Sequence, residues 1–271
     1  MSRDNPVVAN PWTHLRGHTP ARIALGRAGP SLPTREVLAF GIAHASARDA
    51  VHKGLDVEAL DSQLRAAGYA PLRVHSAAPD RATYLTRPDL GRRLDDESAH
   101  RLVVAPEAPQ IAIAIEDGLS AVAVQKHVPP LMAALGSIAP ERWVRLPVVI
   151  AQQGRVALGD EIGERLAARL VVVMIGERPG LSSPDSLGVY VTYQPRIGRT
   201  DAQRNCISNI RPEGLGYAAA ATKLDWLVVQ ALRRGLTGVA LKDDSEPIGA
   251  LNVLISAQNT PEIASRSQFT K

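Results

Sequence analysis

At 271 residues the chain is long enough for one large domain or two small ones, and a hydrophobic content of 45% excludes disorder as its organising state. Thirty-one basic residues against 27 acidic ones leave a net charge of +4, a weak pull towards an anionic partner, and 4% aromatics offer few platforms for single-stranded nucleic acid. One cysteine excludes an internal disulfide and any multi-thiolate metal centre. The opening MSRDNPVVANPW lacks the apolar stretch of an export signal, and no apolar run approaches membrane-spanning length. A soluble intracellular chain is the expectation.

Residues 1–20 have no period and read as a peripheral arm, which Trp12 could anchor on a partner or on its own domain. The glycines of 26–30 lack both the G-x-G-x-x-G spacing and the GK[ST] ending of phosphate loops. Thr34 is a candidate N-cap for a helix with Val37, Leu38, Ile42, Ala45, Ala50 and Val51 on an apolar face. His44, Arg48 and His52 share another stripe of that helix, either a solvated face or one that meets a ligand. A second amphipathic helix over 55–67 closes at Gly68, a short extended piece covers 71–74, and 92–97 reads as a solvated charge run. Residues 21–100 are therefore expected to form a mainly helical domain.

The character changes near residue 100. Strands at 110–116, 145–151 and 171–175 alternate with helices at 119–135 and 159–169, the first of these helices broken or restarted at Pro129-Pro130. That alternation predicts an α/β domain over 101–245, Rossmann-like with a mostly parallel sheet, and a tail over 246–271. Parallel strands joined by right-handed crossovers place their carboxyl ends on one edge, where ligands bind. Glu116-Asp117-Gly118, residues 152–156 and Gly176-Glu177-Arg178 should share that edge. A further strand over 187–193 precedes a dense polar cluster, residues 196–211, read as a binding surface. A long helix over 214–234 follows, ending on two arginines and Gly235.

Several catalytic constellations are absent: there is no G-x-S-x-G, H-E-x-x-H or Walker motif. Cys206 is a conceivable nucleophile whose thiolate Arg204 and Arg211 would favour if close, but no histidine follows His127, and a packed cysteine beside a ligand is the competing reading. Glu177 and Arg178 could pair with each other or meet a ligand. Asp243-Asp244 could hold a metal or remain a solvated pair.

The stretch IGERPGLSSPDSLGVYVTYQPRIGRTDAQRNCISNIRPEGLGYA closely resembles the small subunit (light chain) of ethanolamine ammonia-lyase. RIALGRAGPSLPTREVLAFGIAHASARDAVH, DGLSAVAVQ and LKDDS support the resemblance, which spans residues 10–245. It implies an adenosylcobalamin-dependent radical lyase that converts ethanolamine to acetaldehyde and ammonia. The partner it implies is a TIM-barrel large subunit that binds the substrate, in a hetero-oligomer inside a cytoplasmic bacterial microcompartment. Val156, Glu177 and Cys206 match the family's cobalamin contacts on this subunit, and Arg155, Ser208 and Asn209 are candidates by adjacency. The family's cofactor keeps its own dimethylbenzimidazole on cobalt, which agrees with the missing D-x-H-x-x-G. The chain alone should be inert, with no catalytic or metal-ligating residue of its own. The rival reading is a stand-alone α/β binding or scaffolding module, and a large exposed apolar patch would favour the lyase subunit.

Overall fold

The computed structural model describes residues 7–102 and 107–245; the tail expected over 246–271 lies outside them. In chain order the strands are β1 (Val7–Val8), β2 (Arg27–Ala28), β3 (Leu72–His75), β4 (Ile111–Glu116), β5 (Val148–Gln152), β6 (Leu170–Gly176), β7 (Leu187–Tyr193) and β8 (Arg204–Ile210). The helices are α1 (Thr34–His52), α2 (Val57–Ala66), α3 (Arg81–Thr86), α4 (Asp96–Arg101), α5 (Ala121–Ile138), α6 (Pro140–Trp143), α7 (Leu158–Arg165) and α8 (Tyr217–Arg234). β1 and β2 pair with each other, and the other six strands form one mostly parallel sheet in the order β3-β5-β4-β6-β7-β8. The first four of that order are parallel, and β7 and β8 extend the sheet as an antiparallel hairpin.

Alternation along the central strands divides the core in two. Ile111, Ile113, Ile115, Val148, Ile150, Val172 and Met174 face α2, α5 and α8. Ala112, Ala114, Val149, Ala151, Val171 and Val173 face α4 and α7. The path from β4 to β5 moves one place outward through α5, and the path from β5 to β6 returns across β4 through α7. Two right-handed crossovers in opposite directions must lie on opposite faces. Small residues bring α7 close to the sheet, since a Cβ on Gly159 would run into Val173 and one on Gly163 into Pro195 and Val171.

Several expectations change. α5 runs through Pro129 and Pro130 without a break. Burial of Val124, Val128, Leu131, Met132 and Leu135, at about 1.5–3 kcal/mol each, outweighs a proline cost of about 3 kcal/mol each. The polar cluster contains a strand, β8, whose polar sequence conceals it because only Arg204, Ile207 and Ile210 are buried and Asn209 adopts φ 58°. β3 joins the sheet as its outer strand, and α2 sends Leu60 and Leu64 into the same core. Pro33 rather than Thr34 precedes the first turn of α1.

α1 forms where expected but buries only Glu36 and Ala50. Val37, Leu38, Phe40 and Ile42 are 48–70% exposed, so the expected apolar face lies in solvent. His44, Arg48 and His52 are exposed as well. The arm runs along this helix, with Arg16 pairing Glu36 at 3.2 Å and Arg22 lying over the Phe40 ring. Gly26 serves this arm rather than a phosphate: at φ 77° its missing Cβ would press on the Val8 carbonyl at 2.7 Å.

Candidate functional site

The helices of the second face stop short of the hairpin. α7 covers β4 and β6, whereas the same face of β7 and β8, carrying Tyr190, Thr192, Arg204 and Cys206, forms the floor of a cavity of about 800 Å³. Its walls come from Arg92 and Arg93, from Arg155, Val156 and Ala157 after β5, and from residues 197–201.

Tyr190 and Cys206 lie directly opposite each other on β7 and β8. Partial enclosure pushes the Cys206 thiol above its ordinary range; a hydrogen bond from Tyr190 counters this and the charge of Glu177 adds to it. The same enclosure raises the Tyr190 phenol. The thiolate expected from nearby arginines is therefore not favoured: Arg204 spends its charge elsewhere. It is buried with Asp160, Nη1 to Oδ1 at 2.6 Å, and also donates to Thr192 and to the Arg199 carbonyl. No histidine lines the cavity, so the nucleophile reading lacks its base.

Val156 and Arg155 sit on a loop that is tightly held. Arg155 donates its backbone N–H to the Gly91 carbonyl at 2.8 Å and Nη2 to the Tyr84 carbonyl at 2.9 Å. Its guanidinium lies 4.5 Å from the Tyr84 ring centre, and Arg81 stacks on the same ring at 4.7 Å. The Arg155 Nε is buried without an acceptor. Beneath the loop lies Glu116, fully buried with no hydrogen bond to either oxygen. A Cβ on Gly154 would come within 2.9–3.1 Å of the Glu116 side chain. Burial, then Asp117 and Asp160, hold the Glu116 carboxyl well above its ordinary range. Asp117 is likewise raised by burial while it accepts the Gly154 N–H at 3.0 Å.

The expected edge exists, since β4, β5 and β6 end together, but its members divide. Arg155, Val156 and Cys206 meet in the cavity, whereas Glu116 and Asp117 lie under its wall. Glu177 stands beside it, close enough to act on Cys206 and Tyr190. It does not pair with Arg178; its carboxylate accepts the Asn209 N–H at 3.2 Å, which fixes the left-handed turn in β8. Ser208 and Asn209 are exposed and lie outside the cavity lining. Sequence reasoning missed Tyr190, Arg92 and Arg93, and reached Arg199 only as a member of the polar cluster. Of the missed residues, only Tyr190 left a signal, a polar-tipped residue inside an otherwise apolar strand. Asp243 pairs with Lys223 at 2.7 Å, and no cluster of three metal-binding side chains occurs among the described residues.

The fold and cavity define an α/β chain with a mostly parallel sheet, an open cavity beside its antiparallel hairpin and an exposed apolar helix. A model of the family "Ethanolamine ammonia-lyase light chain (EutC)" matches residues 9–242. The chain is 59% identical to the ethanolamine ammonia-lyase small subunit of Ralstonia nicotianae, covering 89% of this chain and 91% of that one. It is 57% identical to that of Azotobacter vinelandii (91% and 93%) and 52% identical to that of Pseudomonas syringae pv. tomato (95% and 91%). The chain belongs to the ethanolamine ammonia-lyase small-subunit family, and as such implies a large-subunit partner and a lyase complex.

Proposed function

We propose that this chain forms one side of an adenosylcobalamin site, closed on the other side by a TIM-barrel large subunit that binds ethanolamine. The convergence of Val156 and Cys206, from separate elements, on one cavity of a chain in this family carries the reading. A corrin with its nucleotide tail is larger than the cavity, so the chain holds part of the cofactor and leaves the rest to the partner. The donor set suits such a ligand. Val156 and Tyr190 offer flat apolar surface, Cys206 supplies volume and a weak hydrogen-bonding group, and Glu177 can accept from the amide fringe. Arg155 adds a charged donor to the wall, and Ser208 and Asn209, exposed outside the cavity, are left to meet the parts of the cofactor that project beyond it. The lack of a histidine in the lining suits a cofactor that keeps its own base on cobalt.

When bound, adenosylcobalamin supplies the radical that starts the conversion of ethanolamine to acetaldehyde and ammonia. This chain's residues bind and orient; none is assigned a proton transfer. The Rossmann-like parallel half of the sheet serves as the rigid base for the loop that carries Val156. The exposed apolar face of α1 and the arm is the surface offered to the large subunit. Ten of the sixteen exposed large apolar side chains among the described residues fall within residues 7–42, the kind of patch that marks an interface. Among the described residues no helix is long and apolar enough to cross a membrane. The proposed setting is cytoplasmic, within a bacterial microcompartment.

The test is reconstitution. Purified chain with ethanolamine and adenosylcobalamin should yield no sustained acetaldehyde, and addition of the large subunit should start turnover. Turnover by the chain alone would overturn the division of labour. In the complex, Glu177→Ala should weaken cofactor binding by about 1–2 kcal/mol, the scale of a hydrogen bond to a charged group. An unchanged dissociation constant in an intact complex would reduce Glu177 to a prop for Asn209.

A further inference from the structure

The cavity's five arginines are not equivalent. Arg93 is neutralised by Glu161, its Nε 3.1 Å from the carboxylate, and Arg204 by Asp160 and Asp201. The remaining three have no carboxylate partner among the described residues. Arg155 donates to a carbonyl and stacks on Tyr84, and its Nε has no acceptor. Arg199 donates Nε to the Gln194 carbonyl at 3.0 Å and Nη2 to the Tyr193 carbonyl at 3.3 Å, so its geometry is fixed while its charge, felt by Asp160, has no direct ion pair among the described residues. Arg92 is exposed; its backbone N–H donates to the Asp89 carbonyl at 3.3 Å, and its side chain makes no hydrogen bond or ion pair among the described residues. It follows Gly91, whose carbonyl accepts the Arg155 N–H and whose Cα packs on the Arg155 side chain. Arg92 is thereby held beside Arg155.

We propose that Arg92, Arg155 and Arg199 form an anion subsite of this cavity that takes a phosphate group. Three guanidiniums around one space, none in a direct ion pair, repel one another and gain most from a single polyvalent oxyanion, which planar fork donors contact in pairs. The apolar surface of Val156, Ile197 and Tyr190 lies in the same cavity, so the fitting ligand carries its phosphate on a larger, mostly uncharged body. In the reading proposed above, on which this part rests, that group is the phosphodiester of the cobalamin nucleotide tail. A free phosphate ion offers the same chemistry.

The experiment uses the assembled complex and compares adenosylcobalamin with adenosylcobinamide, which lacks the nucleotide and its phosphate. Arg92→Gln, alone and with Arg199→Gln, should raise the dissociation constant for adenosylcobalamin about tenfold while leaving that for adenosylcobinamide unchanged, and Arg92→Lys should restore most of the loss. The pattern for free phosphate differs: inorganic phosphate would raise the melting temperature of the wild type but not of the variants, with no discrimination between the two corrinoids. Either pattern supports the subsite and names its source. Equal losses for both corrinoids, or no change, with no variant-sensitive effect of phosphate, would overturn it; Arg92→Gln is solvent-exposed, so misfolding cannot mimic the result. If the wild-type complex binds neither corrinoid yet phosphate stabilises it, the cobalamin reading fails and the subsite stands.

Discussion

The two faces of the sheet obey the same alternation and come to opposite ends. On the face beneath α2, α5 and α8, side chains from all six strands except β3 enter a continuous apolar core. On the other, α7 seals the middle, and the hairpin beyond it presents Tyr190, Cys206 and Arg204 to a cavity. What separates a core from a binding floor here is not the strand pattern but where the covering helix ends. α7 is eight residues long and meets the hairpin only at its margin, where Asp160 pairs with Arg204.

This contrast can be pressed experimentally, and the largest effect belongs to the sealed face. Ile113, fully buried, should cost about 3 kcal/mol when replaced by Ala, whereas Ser208→Ala on the open side should stay within about 0.5 kcal/mol. Urea unfolding midpoints would show it, and comparable losses would mean that the two faces are packed alike. Next comes Gly154→Ala, whose new methyl must displace the buried Glu116 side chain; a loss of about 1–3 kcal/mol is expected from overpacking. An unperturbed midpoint would show that the loop has room to give.

A smaller effect depends on pH. Burial raises the Glu116 carboxyl in the fold above 4.5, its unperturbed value in the unfolded chain. A raised folded pKa stabilises fully below the unfolded value, and that contribution is lost as pH rises towards the folded one, at up to about 1.4 kcal/mol per pH unit. Glu116→Gln removes the titration, so its advantage over the wild type should grow as pH rises above 4.5, the unperturbed value. Parallel stability curves for the two proteins would place an ionised carboxylate at this site. The smallest change in stability should come from α1. Phe40→Ser and Ile42→Asp should leave the isolated chain within about 0.5 kcal/mol of wild type, yet weaken its association with the large subunit. Undiminished association would move the interface elsewhere.

How much of this was legible follows from which signals are local. The buried strands β4, β5 and β6 announce themselves as short apolar runs between helices, and their shared carboxyl edge follows from chirality alone. β8 did not, because an edge strand over a cavity carries polar residues and a turn at Asn209. β3 was visible only as an extended piece, since its four residues owe their pairing to β5, far along the chain. The apolar stripe of α1 was legible as a stripe, but periodicity reports an interface without saying whether it lies within the chain or between chains. Glu116 and Asp117 sit at a strand end exactly as ligand-binding carboxylates do, and nothing in their neighbours' identity reveals that the β5–α7 loop folds over them. Family resemblance supplied Val156, Glu177 and Cys206, and the polar cluster contained Arg199, whereas Arg92 and Arg93 reach the cavity through tertiary contacts that no spacing records.

The lone sulfhydryl of the chain has a practical consequence. With one cysteine in the sequence, and that one in the wall of the cavity, an alkylating reagent labels a single place and reads its occupancy directly. Because the group is kept protonated, alkylation should be slow near neutral pH and accelerate as the solution becomes alkaline. A ligand lodged against Tyr190 would shield the sulfur, so the rate of labelling gives a binding isotherm that requires neither turnover nor a chromophore.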